Sequence, residues 1–287
     1  MKKYIYALGF FDGVHLGHQA LLSQCCILAK EHGCTPAAIT FDQHPKSLFL
    51  DTPPALLSTI PDRTLLLRRY GMESVRVFPV KKEVMFLPWQ EFLQILLDDG
   101  AAGFVCGDDF HFGYRGEGDA QRLQALCGEL GLPCVVIPEQ TVGGIRVSST
   151  HIRRQIESGD MATAVNFLGH PHILTGTVVY SQPDSPTASL NLPAGLAIPK
   201  SGVYACLALV GGKQYPAVTN IGPLPTVSGA DITVETRIPD CEGDLHGREV
   251  TLEFFRFLRI QQKFSSPEAL QAQLQLDTEE TRRTVGN

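Results

Sequence analysis

The chain of 287 residues lacks any apolar run that could span a bilayer, for which a helix needs about 20 consecutive apolar residues. It lacks a lysine or arginine cluster too. Its 24 basic residues are outnumbered by 30 acidic ones, for a net charge of -6 and an isoelectric point near 5.8. Neither nucleic acid nor a membrane surface is therefore expected as a partner, and any anion must be bound at a local site. The eight cysteines form no CxxC motif. Nothing resembles a secretory leader, since MKKYIYALGF passes directly into a strand pattern. The expectation is a cytoplasmic protein with reduced thiols. There is no internal repeat and no low-complexity segment. What remains is 44% hydrophobic and 19% charged, enough to build one large or two ordinary globular domains.

In the first half, strand-like and helix-like segments alternate. The strand candidates are Tyr4–Phe10, Ala37–Phe41, Ser74–Pro79, Gly103–Gly107 and Cys134–Pro138. Between them, helix patterns run from about Leu21 to Ala29, from Asp62 to Gly71, from Pro88 to Gly100 and from Asp119 to Gly131. Such alternation predicts a parallel sheet covered by helices, with ligands at the carboxyl ends of its strands. Two short helices follow at Ser148–Ser158 and Asp160–Leu168. The character then changes to short strands, Thr175–Tyr180, Gly202–Val210, Gln214–Asn220, Ile232–Thr236 and Glu249–Leu258, and a last helix starting at Ser266-Pro267. These predict a small β-barrel and two domains, 1–172 and 173–287.

Four stretches carry chemistry, three at strand ends and one at a helix start. Gly9–His18, GFFDGVHLGH, puts His15 and His18 at a strand-to-helix turn. Free N–H groups and the helix dipole favour a phosphate there, and glycine permits its close approach. Two imidazoles can donate to a phosphoryl group in flight. Read alone, the glycines could equally form only a turn. Gly107–Asp119, GDDFHFGYRGEGD, alternates Phe110, Phe112 and Tyr114 beside Arg115, as a cover for a planar ring or as a packed strand end. Val147–Arg153, VSSTHIR, sets three hydroxyls at a helix start with an arginine one turn on, either a cap or a phosphate clamp. Thr40–Pro45, TFDQHP, is the weakest of the signals.

In this order, GFFDGVHLGH, TFDQHP, CGDDFHFG with GEGD, and VSSTHIR with LGHPHILTGTV, the chain resembles the prokaryotic bifunctional riboflavin kinase/FAD synthetases. The resemblance implies an α/β nucleotidyltransferase domain, Rossmann-like and with an HxGH motif, followed by a riboflavin-kinase-like β-barrel. It implies FMN adenylyltransferase activity, in which ATP and FMN give FAD and pyrophosphate. It further implies that His15 and His18 contact the ATP phosphates and the transition state. Gly9, Phe10 and Asp12 would line the nucleotide, with Asp109 near it. Ser148, Ser149, Thr150 and Arg153 would hold the phosphates from the other side. Phe110, Phe112 and Arg115 are candidates for flavin contact. Mg2+ would accompany ATP, riboflavin is a further substrate candidate, and an oligomer is left open. A nucleotidyltransferase for another phosphorylated acceptor and a non-catalytic flavin-binding protein are the competing readings.

The second half departs from that family. Its members carry a glycine- and arginine-rich loop running into GFPTAN, whereas this chain has TVVYSQPDSPTASLNL over 177–192. Thr187 stands where the family holds Mg2+ and phosphate, and Glu235 where it has its general base. Ser189 replaces an asparagine, Leu224 an arginine, His246 a tyrosine and Gln261 a glutamate. Little is then left to hold a triphosphate, and a weak or absent kinase is expected.

Overall fold

The computed structural model describes residues 2–181, 187–223 and 232–286. These fall into two compact units. One holds residues up to 148 apart from Leu57–Thr59, and the other holds Leu57–Thr59 and 149–287.

The first unit is an α/β layer structure. Its elements in chain order are β1 (Tyr4–Leu8), α1 (Leu16–Glu31), β2 (Thr35–Phe41), α2 (Ile60–Arg69), β3 (Ser74–Phe78), α3 (Lys82–Met85), α4 (Trp89–Asp98), β4 (Ala101–Gly107), β5 (His111–Phe112), β6 (Gly118–Asp119), α5 (Ala120–Leu130), β7 (Cys134–Ile137), β8 (Thr141–Val142) and β9 (Ile145–Arg146). Five strands make one sheet in the order β3-β2-β1-β4-β7, with every pairing parallel. β1 is central, so four of its five residues are buried. α1 buries Leu21, Leu22, Cys25, Leu28 and Ala29, the residues that its spacing of three and four puts on one face. Successive strands run outward from β1 through β2 to β3, and the chain then returns to the other side of β1 at β4. The carboxyl ends of β1 and β4 thus flank the crevice at which such sheets bind ligands.

β1 ends two residues earlier than its apolar run predicts. Phe11 and Val14 both adopt positive φ, 57° and 40°, and a strand cannot pass through that backbone.

The second unit begins with α6 (Ser149–Ser158) and α7 (Met161–Leu168). Then come β10 (His172–Ser181), β11 (Thr187–Asn191), β12 (Gly202–Val210), β13 (Lys213–Pro223), β14 (Ile232–Arg237), β15 (Glu249–Arg259) and α8 (Pro267–Val285). The six strands close into an antiparallel barrel, β10-β11-β14-β13-β12-β15, sealed by pairing of β10 with β15. α8 lies across β12, β13 and β15. α7 buries Met161, Ala164, Phe167 and Leu168 and packs on β15 and β10. The two short helices therefore share the barrel's unit, although the sequence changes character only after them. β11 is an addition to the sequence reading. It pairs with β10 from Thr177↔Asn191 to Ser181↔Ala188, so the flanks of the altered loop are sheet. Pro186 and Leu224, together with the rest of 182–186 and 224–231, lie outside the described residues.

Candidate active sites

His15 and His18 share the turn between β1 and α1. His15 is the N-cap residue of α1, and its Nδ1 accepts a hydrogen bond from the His18 backbone N–H at 3.3 Å. An accepting Nδ1 puts the proton of the neutral ring on Nε2, leaving a donor there. The two imidazoles stack with centroids 3.6 Å apart and planes 12° from parallel. The Phe11 ring meets His18 edge-on at 5.2 Å. Burial, aided by the nearby His15 and by Arg63, holds the His18 imidazole well below the usual histidine range, so it is neutral at pH 7. Its Nδ1 is buried without a hydrogen-bond partner, a situation that clusters at functional sites. A Cβ at Gly9 would lie 3.0 Å from the Phe11 ring, so any larger residue there would have to push that ring aside.

Beneath this turn lies an arginine that the sequence reading passed over. Arg63 of α2 is 0% exposed. It faces Asp12 at 3.4 Å, donates to Thr40 Oγ1 at 3.1 Å and to the Phe41 carbonyl at 3.0 Å, and stacks over the Phe10 ring at 4.3 Å. Asp12, which the resemblance places along the nucleotide, has its carboxylate 3.4 Å from this cation and is 1% exposed. Phe10 is half-buried, between Arg63 and the edge of His44. His44 itself caps a short 3-10 turn, Pro45–Leu48.

The segment after β4 does bring its three flavin candidates together. Phe110, Phe112 and Arg115 line one cavity of about 420 Å³ with Phe41, Lys46 and Phe49, among others. Phe110 stacks on Phe112 at 5.4 Å, and Phe112 is buried against Trp89 and Phe92. Lys46 and Phe49 come from the segment after β2 and had no signal of their own, since a lone lysine and an exposed phenylalanine are ordinary in a loop. Asp109 is exposed and ion-paired with Arg146 of β9, which also holds Glu139. That pairing explains why an acid can stand there, and Arg146 was likewise missed.

Ser148 ends the first unit, half-buried. Ser149 and Thr150 open α6 in the second, and Arg153 lies one turn on, 9% exposed.

In the barrel, Thr187 and Glu235 line a cavity of about 400 Å³ with Asn220, Gln261, Phe264 and Leu274, among others. Glu235 is exposed on β14, opposite Asn220 of β13 and Ser189 of β11. Gln261 donates to the Asn220 side chain at 2.9 Å. Arg259 grips the buried Asp277 of α8 through two nitrogens, at 2.7 and 3.1 Å.

Fold and sites together define a nucleotidyltransferase-like α/β domain joined to a barrel of the riboflavin kinase type. Residues 1–151 match the FAD synthetase family and residues 168–285 the riboflavin kinase family. The bifunctional riboflavin kinase/FMN adenylyltransferase of Listeria monocytogenes is 31% identical, over 97% of this chain and 91% of that protein. The Escherichia coli K12 protein of the same name is 32% identical over 98% and 93%. A crystal structure described as a macrolide-efflux protein from Streptococcus pneumoniae has a TM-score of 0.85 and 27% identity, covering 98% of this chain and 94% of that one. Among the described residues, no helix is long and apolar enough to cross a membrane. The chain belongs to the bifunctional riboflavin kinase/FMN adenylyltransferase family.

Proposed function

We propose that the chain transfers AMP from ATP to FMN, giving FAD and pyrophosphate, and that its barrel phosphorylates riboflavin weakly or not at all. The observation that carries the first part is the stacked His15–His18 pair at the start of α1. An FMN phosphate oxygen attacks the α-phosphorus in line, and the bond to pyrophosphate breaks. No protein nucleophile is needed, so the site must position two anions and stabilise charge as it spreads. The neutral His18 imidazole still keeps one N–H with which to donate. Ser148, Ser149, Thr150 and Arg153 hold phosphate oxygens, and Asp109 lies toward the nucleotide. The aromatic cavity of Phe110 and Phe112 takes the flavin ring, and Arg115 meets its phosphate.

Among the described residues there is no group of three or more His, Cys, Asp or Glu side chains that could cage a metal. Mg2+ usually keeps several waters and substrate phosphates as ligands, so the hydroxyl of Thr187 suits an ion that enters with ATP, and Glu235, lining the same cavity, is the candidate general base. When bound, the ion offsets charge on the triphosphate. The same reading makes this a cytoplasmic enzyme whose partners are ATP, FMN and riboflavin. Its eight free cysteines are in keeping with that.

The loss of glycines and arginine from 177–192 supports a failing kinase, as does Gln261 in place of a glutamate. The shared cavity of Glu235, Thr187 and Asn220 favours the second reading, a kinase still competent. Purified protein with ATP, Mg2+ and either FMN or riboflavin, resolved by chromatography, tests both halves. FAD forms from FMN at ordinary turnover, and riboflavin yields little or no FMN. No FAD from FMN would refute the first half, and brisk FMN formation the second.

A further inference from the structure

We infer that Arg63 is a positioning residue for adenylyl transfer: its buried guanidinium locks the Phe10–Asp12 segment to the end of β2 and so fixes the backbone from which His15 and His18 project. The inference rests on the function proposed above.

Arg63 touches both strand ends at once. On the β2 side its Nη1 donates to Thr40 Oγ1 at 3.1 Å and to the Phe41 carbonyl at 3.0 Å. On the β1 side its Nη2 faces Asp12 Oδ1 at 3.4 Å, and its plane covers the Phe10 ring. Thr40 closes the circuit, since its hydroxyl donates to the Phe10 carbonyl at 2.6 Å. All three polar side chains are at most 1% exposed.

A buried ion pair is poor value as a stabiliser, and apolar replacements of similar volume are often neutral or better. What does need holding is the turn itself. Phe11 and the β-branched Val14 both sit at positive φ, a strain that persists only where the surroundings over-determine it. Phe11 lies inside the clamped segment, and Val14 lies between it and His15. A small shift of the turn would carry both imidazoles with it, and misplacement by about 1 Å can cost a hundredfold in rate. Lysine keeps the charge but cannot reproduce the planar fork.

The test compares wild type with Arg63→Lys, with the paired Arg63→Met/Asp12→Asn, which leaves no lone buried charge, and with Thr40→Val, which deletes only the hydroxyl link. Each is melted, then assayed for FAD formation with kcat and KM for ATP and FMN measured separately. Expected is a fall in kcat of ten-fold or more in the paired variant, with KM changed less than about three-fold. Arg63→Lys should recover part of that loss, and Thr40→Val should lose about three-fold or more. Wild-type kcat in any folded variant overturns the inference, as does a loss confined to KM. Should the paired variant not fold, Thr40→Val and Arg63→Lys decide it alone. A wild-type protein that makes no FAD overturns the functional reading and this inference with it. Active wild type with active variants overturns the inference only.

Discussion

His18 is neutral, buried and stacked on its neighbour, and in the function proposed it acts as a positioned donor rather than a charge. Its loss should therefore act on the reaction more than on binding. His18→Ala is expected to lower the adenylyl-transfer rate by ten-fold or more, the scale on which one preorganised donor counts, and steady-state FAD formation measures it. Another histidine makes a prediction about stability. His172, 1% exposed, donates its Nε2–H to the Ala197 carbonyl at 3.0 Å. Burial lowers it from 6.5 to about 4. The unfolded chain binds this proton more readily, so the neutral ring's contribution is complete above pH 6.5 and drains away as pH falls toward 4. The full span is about 3 kcal/mol, since each tenfold in proton affinity is worth about 1.4 kcal/mol. Urea unfolding should show a loss of about 2 kcal/mol between pH 7 and pH 5 that His172→Phe removes.

Among the elements, the loops that follow β1 and β4 matter most. The segment after β4 keeps its shape through Gly113, at φ 75°, where a Cβ would fall 2.6 Å from the Trp89 backbone. Gly113→Ala must move that backbone and Phe112 with it. A loss of about 2 kcal/mol or more is expected, read as a lower melting temperature, together with weaker FMN binding by titration. The elements were legible where periodicity is strong. α1 and the parallel sheet follow from apolar spacing and from alternation, whereas the strand order β3-β2-β1-β4-β7 comes from the structure. The histidine pair was legible only through its place at a strand end and the order of the other motifs, since the glycines alone fit a plain turn equally well. Arg63 was not, because an arginine in an amphipathic helix usually faces water and nothing local announces that this one turns inward. Arg146 stayed hidden for a related reason, since its partner Asp109 is distant in sequence, and Lys46 because only the fold brings it to the cavity of Phe110 and Phe112. β11 was obscured because the altered phosphate loop drew attention from the pairing of its flanks.

At the scale of the whole molecule, sequence character and packing divide the chain at different places. The composition turns barrel-like after residue 170. The compact unit that contains the barrel starts at 149, because the apolar face of α7 is covered by β15 and β10. A fragment ending at 172 would carry α7 without that cover, exposing Met161, Phe167 and Leu168. Such a fragment is expected to aggregate or to lose the α6–α7 fold, seen as lost helical circular dichroism beside the intact chain. A monomeric fragment with both helices intact would show that α7 stands without the barrel.

The residues of α6 proposed to hold phosphate are rooted through α7 in the scaffold of the other activity. The barrel is therefore masonry as well as a candidate catalyst: deleting it would strip the cover from α7 whether or not it phosphorylates anything.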